Sequence, residues 1–101
     1  MYLKFHKGMG QTVLAVCDAD ILGRVIRGGK IVIDLSRHQD FYKGKKASGK
    51  AEIVSLLKEA DSANLVGKKC VQIALDEGFA SEAQVLDIGG VPHIQVYKVF
   101  L

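Results

Sequence analysis

The chain has 101 residues, of which 49% are hydrophobic, 25% are charged and one is proline. At this length two separate hydrophobic cores would each be marginal, and so apolar a chain is not expected to be disordered, which predicts one domain over residues 1–101. Apolar runs such as residues 13–17 are only a handful of residues long. Because roughly 18 apolar residues are needed to span a bilayer, we expect no membrane association.

The net charge of +3 is distributed unevenly along the chain. Residues 1–50 contain ten Lys and Arg against four acids, whereas residues 51–101 contain four against seven. The first half therefore carries +6 and the second half −3. Because clustered charge attracts polymers of the opposite sign, we expect a polyanion to meet the first half of the chain.

The cysteines and histidines are scattered. Cys17 and Cys70 belong to no Cys-x-x-Cys motif. Free buried thiols fit a reducing cytoplasm, although a disulfide between the two remains an alternative. His6, His38 and His93 lack the close ligand spacing of zinc sites. We therefore predict a cytoplasmic protein with no metal and no cofactor.

The N-terminal elements are predicted to be strands. Residues 2–7 alternate apolar and polar side chains, and residues 11–17 are rich in strand formers, so the glycines at 8 and 10 predict a β-hairpin. Asp18 follows as the expected N-cap of one helical turn over residues 19–22. A second hairpin is predicted from residues 24–27 and 30–35 around two consecutive glycines. Its core-facing residues are expected to be Ile31, Ile33 and Leu35.

The middle of the chain is predicted to be helical. Residues 36–50 are polar and form a loop with one helical turn before Gly44. Ser48 is the expected N-cap of a helix, because apolar residues then recur at the spacing of one buried face. Those residues are Ile53, Leu56, Leu57 and Ala60. Residues 61–64 interrupt the pattern, and a second helix is predicted to run to Glu77, with Val71, Ala74 and Leu75 inward. The two helices are expected to pack together.

The C-terminal part returns to strands. Ser81 and Gln84 match a capping box around one helical turn. A strand follows at residues 85–88, a turn at residues 89–92, and a last strand at residues 93–101. Helices that are segregated between strands predict an α+β fold. We expect a mainly antiparallel β-sheet with two principal helices packed on one face.

The basic segment of residues 24–50 is the first candidate site. Lys and Arg neutralise phosphates, and exposed aromatic rings stack on unpaired bases, so this composition suits RNA. The alternative is a solvated loop anchored by Phe41. The candidate residues are Arg24, Arg27, Lys30, Arg37, Phe41, Tyr42, Lys43, Lys45, Lys46 and Lys50.

The turn before His93 is the second candidate site. Paired glycines allow the backbone to approach a ligand, and a histidine titrates near neutral pH. The structural alternative is a glycine turn followed by a histidine that is hydrogen-bonded at the start of a strand. The candidate pocket comprises Asn64, Gly89, Gly90, His93 and Gln95.

Five strings in this order resemble an archaeal family, domain of unknown function 424. They are Ala15-Val16-Cys17-Asp18, Leu22-Gly23, Phe41-Tyr42-Lys43-Gly44, Ala63-Asn64-Leu65-Val66-Gly67 and Ile88-Gly89-Gly90-Val91-Pro92-His93-Ile94-Gln95. The resemblance covers essentially the whole chain. It implies an archaeal, cytoplasmic setting. In such a setting a disulfide between Cys17 and Cys70 is a somewhat stronger alternative than in an ordinary cytosolic protein. The resemblance implies no reaction and no catalytic residue.

Three functions follow as hypotheses. The first is RNA binding, or association with the translation machinery, through the basic segment. The second is an enzyme or small-ligand binder with its pocket at the turn before His93. The third is a homo-oligomer or interaction module joined through strand edges.

Overall fold

Residues 1–98 are described by a computed structural model. A six-stranded sheet has the strand order β5-β1-β2-β6-β8-β7, and a separate hairpin pairs β3 with β4. The strands are β1 (Tyr2–Gly8), β2 (Gln11–Cys17), β3 (Val25–Gly28), β4 (Ile31–Asp34), β5 (Lys45–Lys46), β6 (Ser62–Val66), β7 (Leu86–Ile88) and β8 (Val91–Tyr97). The helices are α1 (Gln39–Tyr42), α2 (Lys50–Glu59), α3 (Lys68–Asp76) and a single 3-10 turn at Glu82–Gln84.

The predicted α+β fold is confirmed. Every strand pair is antiparallel except β2 with β6, which is parallel. Both principal helices lie on the same face of the sheet, where they form one apolar layer with the strands. The strands and both helices contribute buried side chains to this layer, among them Leu3, Leu14, Ile53, Leu57, Leu65, Val71 and Ile94. Within residues 1–98, no helix has both the length and the apolar character needed to cross a membrane.

Strand β6 is the main departure from the prediction. Residues 61–64 were expected to interrupt two helices, but Ser62–Val66 lies between β2 and β8 near the middle of the sheet. The second helix therefore begins at Lys68. Ala63 and Leu65 face the layer under the helices, while Asn64 and Val66 face the other side.

The opposite face of the sheet carries a second apolar layer. It is covered by the β3–β4 hairpin and by α1, with Leu35, Ile26 and Tyr42 buried against the strands. The predicted hairpin is confirmed, with Gly28 paired to Ile31 across the turn. Ile31 was expected in the core but is 43% exposed, because it lies at the tip of the hairpin. Of the three predicted core residues, only Leu35 is fully buried.

The remaining boundaries differ from the expectation by small amounts. Helix α2 has Gly49 rather than Ser48 at its N-cap, and the backbone N–H of Ser48 donates to the Glu52 carboxylate at 2.9 Å. The capping box of Ser81 and Gln84 is confirmed. Strand β8 begins at Val91, before the predicted start. The last three residues of the predicted final strand, 99–101, lie outside the described residues.

The two cysteines lie in different layers. Cys17 belongs to the layer under the β3–β4 hairpin and Cys70 to the layer under the helices, so the sheet separates them. Both are free thiols. The alternative of a disulfide between Cys17 and Cys70 is therefore wrong.

Candidate functional site

Strand register aligns side chains into rows on the face that carries the β3–β4 hairpin. Side chains alternate along each strand, so residues paired across strands share a face. One row comprises His6, Val13, Ser62 and Tyr97, and the next comprises Lys4, Ala15, Asn64 and Gln95. Helix α1 covers the β1 end of both rows. The β6 and β8 end is left uncovered, and we call its four polar residues, Ser62, Asn64, Gln95 and Tyr97, the open face.

Hydrogen bonds hold the side chains of the open face in place. The hydroxyl of Tyr42 donates to Oδ1 of Asn64 at 2.8 Å. The hydroxyl of Tyr97 donates to Oε1 of Gln95 at 3.1 Å. Tyr97 is 68% exposed, so it presents an aromatic ring on the surface at the end of β8.

His93 lies next to the open face but is largely covered. It is 9% exposed, and its Nδ1 is 2.9 Å from the carbonyl oxygen of Leu65. Because a carbonyl only accepts, Nδ1 carries the proton, and in the neutral ring Nε2 is left as an acceptor. A cleft of about 290 Å³ is lined by Gln84, Leu86, His93, Ile94, Gln95 and Tyr97. This cleft follows the edge of β8 beyond the last residue paired with β7.

A second cleft lies where the parallel strands β2 and β6 end. It has a volume of about 370 Å³ and is lined by Asp18, Asp20, Ile21, Arg24, Gly67, Lys68, Lys69, Gly89, Gly90 and Val91. Asp18 does not cap the predicted turn after β2. Its carboxylate accepts hydrogen bonds from the backbone N–H groups of Lys69 at 2.8 Å and Cys70 at 3.0 Å. It therefore caps α3, a helix distant in sequence.

The predicted pocket before His93 is not assembled as one site. Gly89 and Gly90 line the cleft at the ends of β2 and β6, whereas His93 and Gln95 line the cleft along β8. Asn64 lies on the sheet face, opposite Gln95 in the neighbouring strand. The structure thus separates the glycine turn from the histidine and unites Asn64 and Gln95 with Tyr97, which was not among the candidates.

All eight lysines and arginines of the basic segment are exposed. Lys45 pairs with Glu52, and Lys50 pairs with Glu77 at 3.2 Å. Across residues 1–98 the other six have no carboxylate within ion-pair distance: Arg24, Arg27, Lys30, Arg37, Lys43 and Lys46. These six side chains are free to meet an external anion.

Lys68 and Lys69 are not among the sequence-predicted site residues, because the sequence pattern predicts a continuous helix through this region. They line the second cleft together with Arg24, and they line a neighbouring groove together with Lys50. The first turn of α3 thus connects cations from two distant parts of the basic segment. The signal in the sequence was Gly67, which separates the strand from the helix.

The two aromatic residues of the basic segment are not free platforms. Tyr42 is 5% exposed, and burial, with a smaller contribution from the thiols of Cys17 and Cys70, raises the pKa of its hydroxyl. Its ring is therefore not available to stack on a base. Phe41 is half-buried and stacks on the His6 ring, with 4.6 Å between ring centroids. In the part of the chain that is described, no three His, Cys, Asp or Glu side chains form a group that could hold a metal ion.

Comparison with known proteins identifies the family. A family model described as protein of unknown function (DUF424) matches residues 6–99. The chain belongs to this family. The resemblance in the five sequence strings is thereby confirmed.

One solved structure has the same fold as this chain. The crystal structure of an uncharacterized conserved protein from Methanopyrus kandleri, an archaeon, has a TM-score of 0.76 and 25% sequence identity to this chain. The match covers 99% of this chain and 95% of the other. No curated protein matches the chain.

Proposed function

We propose that this protein binds RNA through the cations of residues 24–50 together with Lys68 and Lys69. The observation that carries the proposal is the set of six exposed cations in the basic segment that have no carboxylate partner within residues 1–98. Binding RNA would release counterions from its phosphates without first breaking ion pairs in the protein. The two free thiols fit a cytoplasmic setting for this activity.

Lys68 and Lys69 extend the proposed contact surface. Arg24 shares one cleft with them and Lys50 shares the adjacent groove, so the phosphate backbone can follow cations from the end of the sheet onto the helices. Asp18 does not oppose this path directly, because its carboxylate is turned inward onto the amides of α3.

The test is the affinity for single-stranded and structured RNA, measured by fluorescence anisotropy across a salt series. We expect the logarithm of the association constant to fall linearly with the logarithm of salt concentration, with a slope of about −0.7 per phosphate contacted for single strands. Lys68→Gln with Lys69→Gln is expected to weaken binding several-fold and to reduce the slope by about one unit.

The matched control is Lys7→Gln with Lys58→Gln, which removes the same charge at the opposite end of the sheet. It is expected to leave the affinity close to that of the wild type. No binding at low salt, binding without salt dependence, or equal losses in both double variants would each contradict the proposal.

A small anionic ligand is a second candidate, favoured by the cleft beside Gly89 and Gly90. This cleft has a volume of about 370 Å³ and three cationic side chains against the exposed carboxylate of Asp20, while the Asp18 carboxylate is bonded to α3 and His93 does not line it. Calorimetry with inorganic pyrophosphate at constant ionic strength tests this reading. Saturable binding that the Lys68→Gln and Lys69→Gln substitutions abolish would favour it, and an absence of heat would exclude it.

A further inference from the structure

We propose that the open face binds an unpaired base of the RNA, with Tyr97 stacking on the base and the amides of Asn64 and Gln95 donating hydrogen bonds to its edge. This inference rests on the proposed RNA-binding function and locates where bases, as distinct from phosphates, are bound. It assigns a role to Tyr97, which lies outside the basic segment.

The first argument is the exposure of Tyr97. Its ring is 68% exposed. Its two neighbours on the same face of the sheet are polar: Gln95 on its own strand β8, and Ser62 directly opposite on β6. Its hydroxyl is bonded to Gln95, which holds the ring over the sheet. A flat aromatic surface fixed on a rigid strand is the form of stacking platform that single-stranded nucleic acids use, because every base has a π-face.

The second argument is the hydrogen-bonding state of the two amides. Oδ1 of Asn64 accepts from Tyr42, and Oε1 of Gln95 accepts from Tyr97. The acceptor of each amide is therefore engaged, and each NH₂ group remains as a donor. Because Asn64 and Gln95 are directly paired across β6 and β8, the two donor groups lie side by side. Donors in this position complement the acceptors of each base, which are carbonyl oxygens in uracil, carbonyl oxygens and ring nitrogens in cytosine and guanine, and ring nitrogens in adenine.

The third argument is charge. None of the four side chains of the open face is a carboxylate. Helix α1 reaches this face through the bond from Tyr42 to Asn64, and Lys43, which directly follows the helix, has no carboxylate within ion-pair distance among residues 1–98. A neutral, donor-rich surface bordered by a cation fits a strand whose bases contact the sheet and whose phosphates lie over the border.

The adjoining cleft gives space for a nucleotide. It has a volume of about 290 Å³ and contains Gln95 and Tyr97 on one wall and Gln84 on another. Nε2 of His93, left as an acceptor in the neutral ring, adds one further polar contact there.

The test uses a single tryptophan. The chain has none, so Tyr97→Trp creates a unique fluorophore at the proposed stacking position. We expect single-stranded oligouridine to quench its emission, whereas an abasic oligomer of the same length and charge binds about tenfold more weakly and does not quench. The matched control is Ser55→Trp, an exposed position on α2 across the sheet, where oligouridine is expected to cause no quenching.

Affinity measurements complete the test. Tyr97→Ala is expected to lower the affinity for oligouridine about tenfold without changing the salt dependence, and Tyr97→Phe is expected to retain most of the affinity because it keeps the ring. If the wild type binds no RNA, the proposed function fails and this inference with it. If RNA binds but the tryptophan at position 97 is not quenched, the base site alone is wrong. A blue shift that grows with protein concentration in the absence of RNA would instead identify the open face as an interface between two copies.

Discussion

Gly67 gives the side chain of Asp18 the space that it occupies. A β-carbon at position 67 would overlap Cβ and Cγ of Asp18, and the backbone at this glycine has a φ of +121°. The carboxylate passes this point and reaches the first amides of α3. The ends of the two parallel strands are thus joined by a glycine and an acid that are far apart in the chain.

Removing the carboxylate of Asp18 is expected to destabilise the protein. Asp18 is 4% exposed and accepts from two helix amides, so Asp18→Ala leaves the buried N–H of Cys70 and the part-buried N–H of Lys69 without this acceptor. We expect a loss of about 2 kcal/mol in the free energy of unfolding, measured by urea denaturation. Asp20→Ala is the control, because Asp20 is exposed, and it should change the stability by less than about 0.5 kcal/mol. Equal effects would show that the cap contributes nothing.

A methyl group at Gly89 is expected to push the β7–β8 hairpin away from the β3–β4 hairpin. Gly89 and Gly29 both have a φ of +59°, so alanine at either position costs about 1 kcal/mol of backbone strain. At Gly29 nothing lies within 4 Å of the new methyl, whereas at Gly89 it would overlap the carbonyl oxygen of Arg27. We expect Gly89→Ala to lower the unfolding free energy by about 2 kcal/mol more than Gly29→Ala. Similar losses in the two variants would contradict the close packing.

The hydroxyl of Tyr42 is expected to contribute measurably to stability. Tyr42→Phe removes the donor to Asn64 without changing the ring, so we expect a loss of about 1 kcal/mol in thermal or urea unfolding. Tyr2→Phe is the matched control, since Tyr2 is half-buried and its hydroxyl makes no hydrogen bond within residues 1–98. If Tyr42→Phe is as stable as Tyr2→Phe, the hydrogen bond from Tyr42 to Asn64 does not contribute to stability.

Stability is expected to fall in alkaline solution. Burial, followed by the charges of Asp18 and Asp20, raises the pKa of Cys17 from its ordinary 9.0 to about 12, and burial raises the pKa of Cys70. The folded chain therefore holds these protons more tightly than the unfolded chain. The resulting stabilisation is complete below about pH 9 and is lost as the pH rises toward 12. Urea denaturation between pH 8 and 11 should show the decline, and Cys17→Ala should make it shallower.

Thiol labelling gives an independent check of the same burial. At pH 8 iodoacetamide is expected to leave both cysteines of the folded protein unmodified and to modify both in urea, because only the thiolate reacts and neither sulfur is accessible. Rapid labelling of the native protein would contradict the assigned pKa directions.

The first hairpin, both principal helices and the capping box of Ser81 could be predicted because each is encoded by local patterns. Strand β6 could not, since Ser62, Ala63 and Asn64 are weak strand formers and the apolar pair Leu65-Val66 falls within the second predicted helix, which runs to Glu77. Its strand conformation comes from pairing on both sides with β2 and β8. Gly67 was the overlooked sign of a boundary, because a glycine within a predicted helix often marks its end or start.

The candidate sites were harder to predict than the fold. Residue type alone placed Tyr42 with the cations around it, but the ring packs inward under α1. The sequence pattern identifies Tyr97 only as one member of an alternating strand, and the register of β6 and β8 places it beside Asn64 and Gln95. Such a grouping depends on pairing between residues about 30 positions apart, which composition does not encode.

The parallel pairing of β2 with β6 has a kinetic consequence. The β1–β2 hairpin is local and can close within microseconds. The centre of the sheet, in contrast, requires Val13 to pair with Ser62. The whole chain segment between β2 and β6, which includes the β3–β4 hairpin and α2, must therefore be brought together before these contacts form. On the ribosome, β2 therefore has to wait for β6 and α3 to emerge, and until then its edge is exposed. The unpaired edge of β2 can pair with another chain during this time. The nascent protein is therefore exposed to aggregation for longer than expected of a domain of this size.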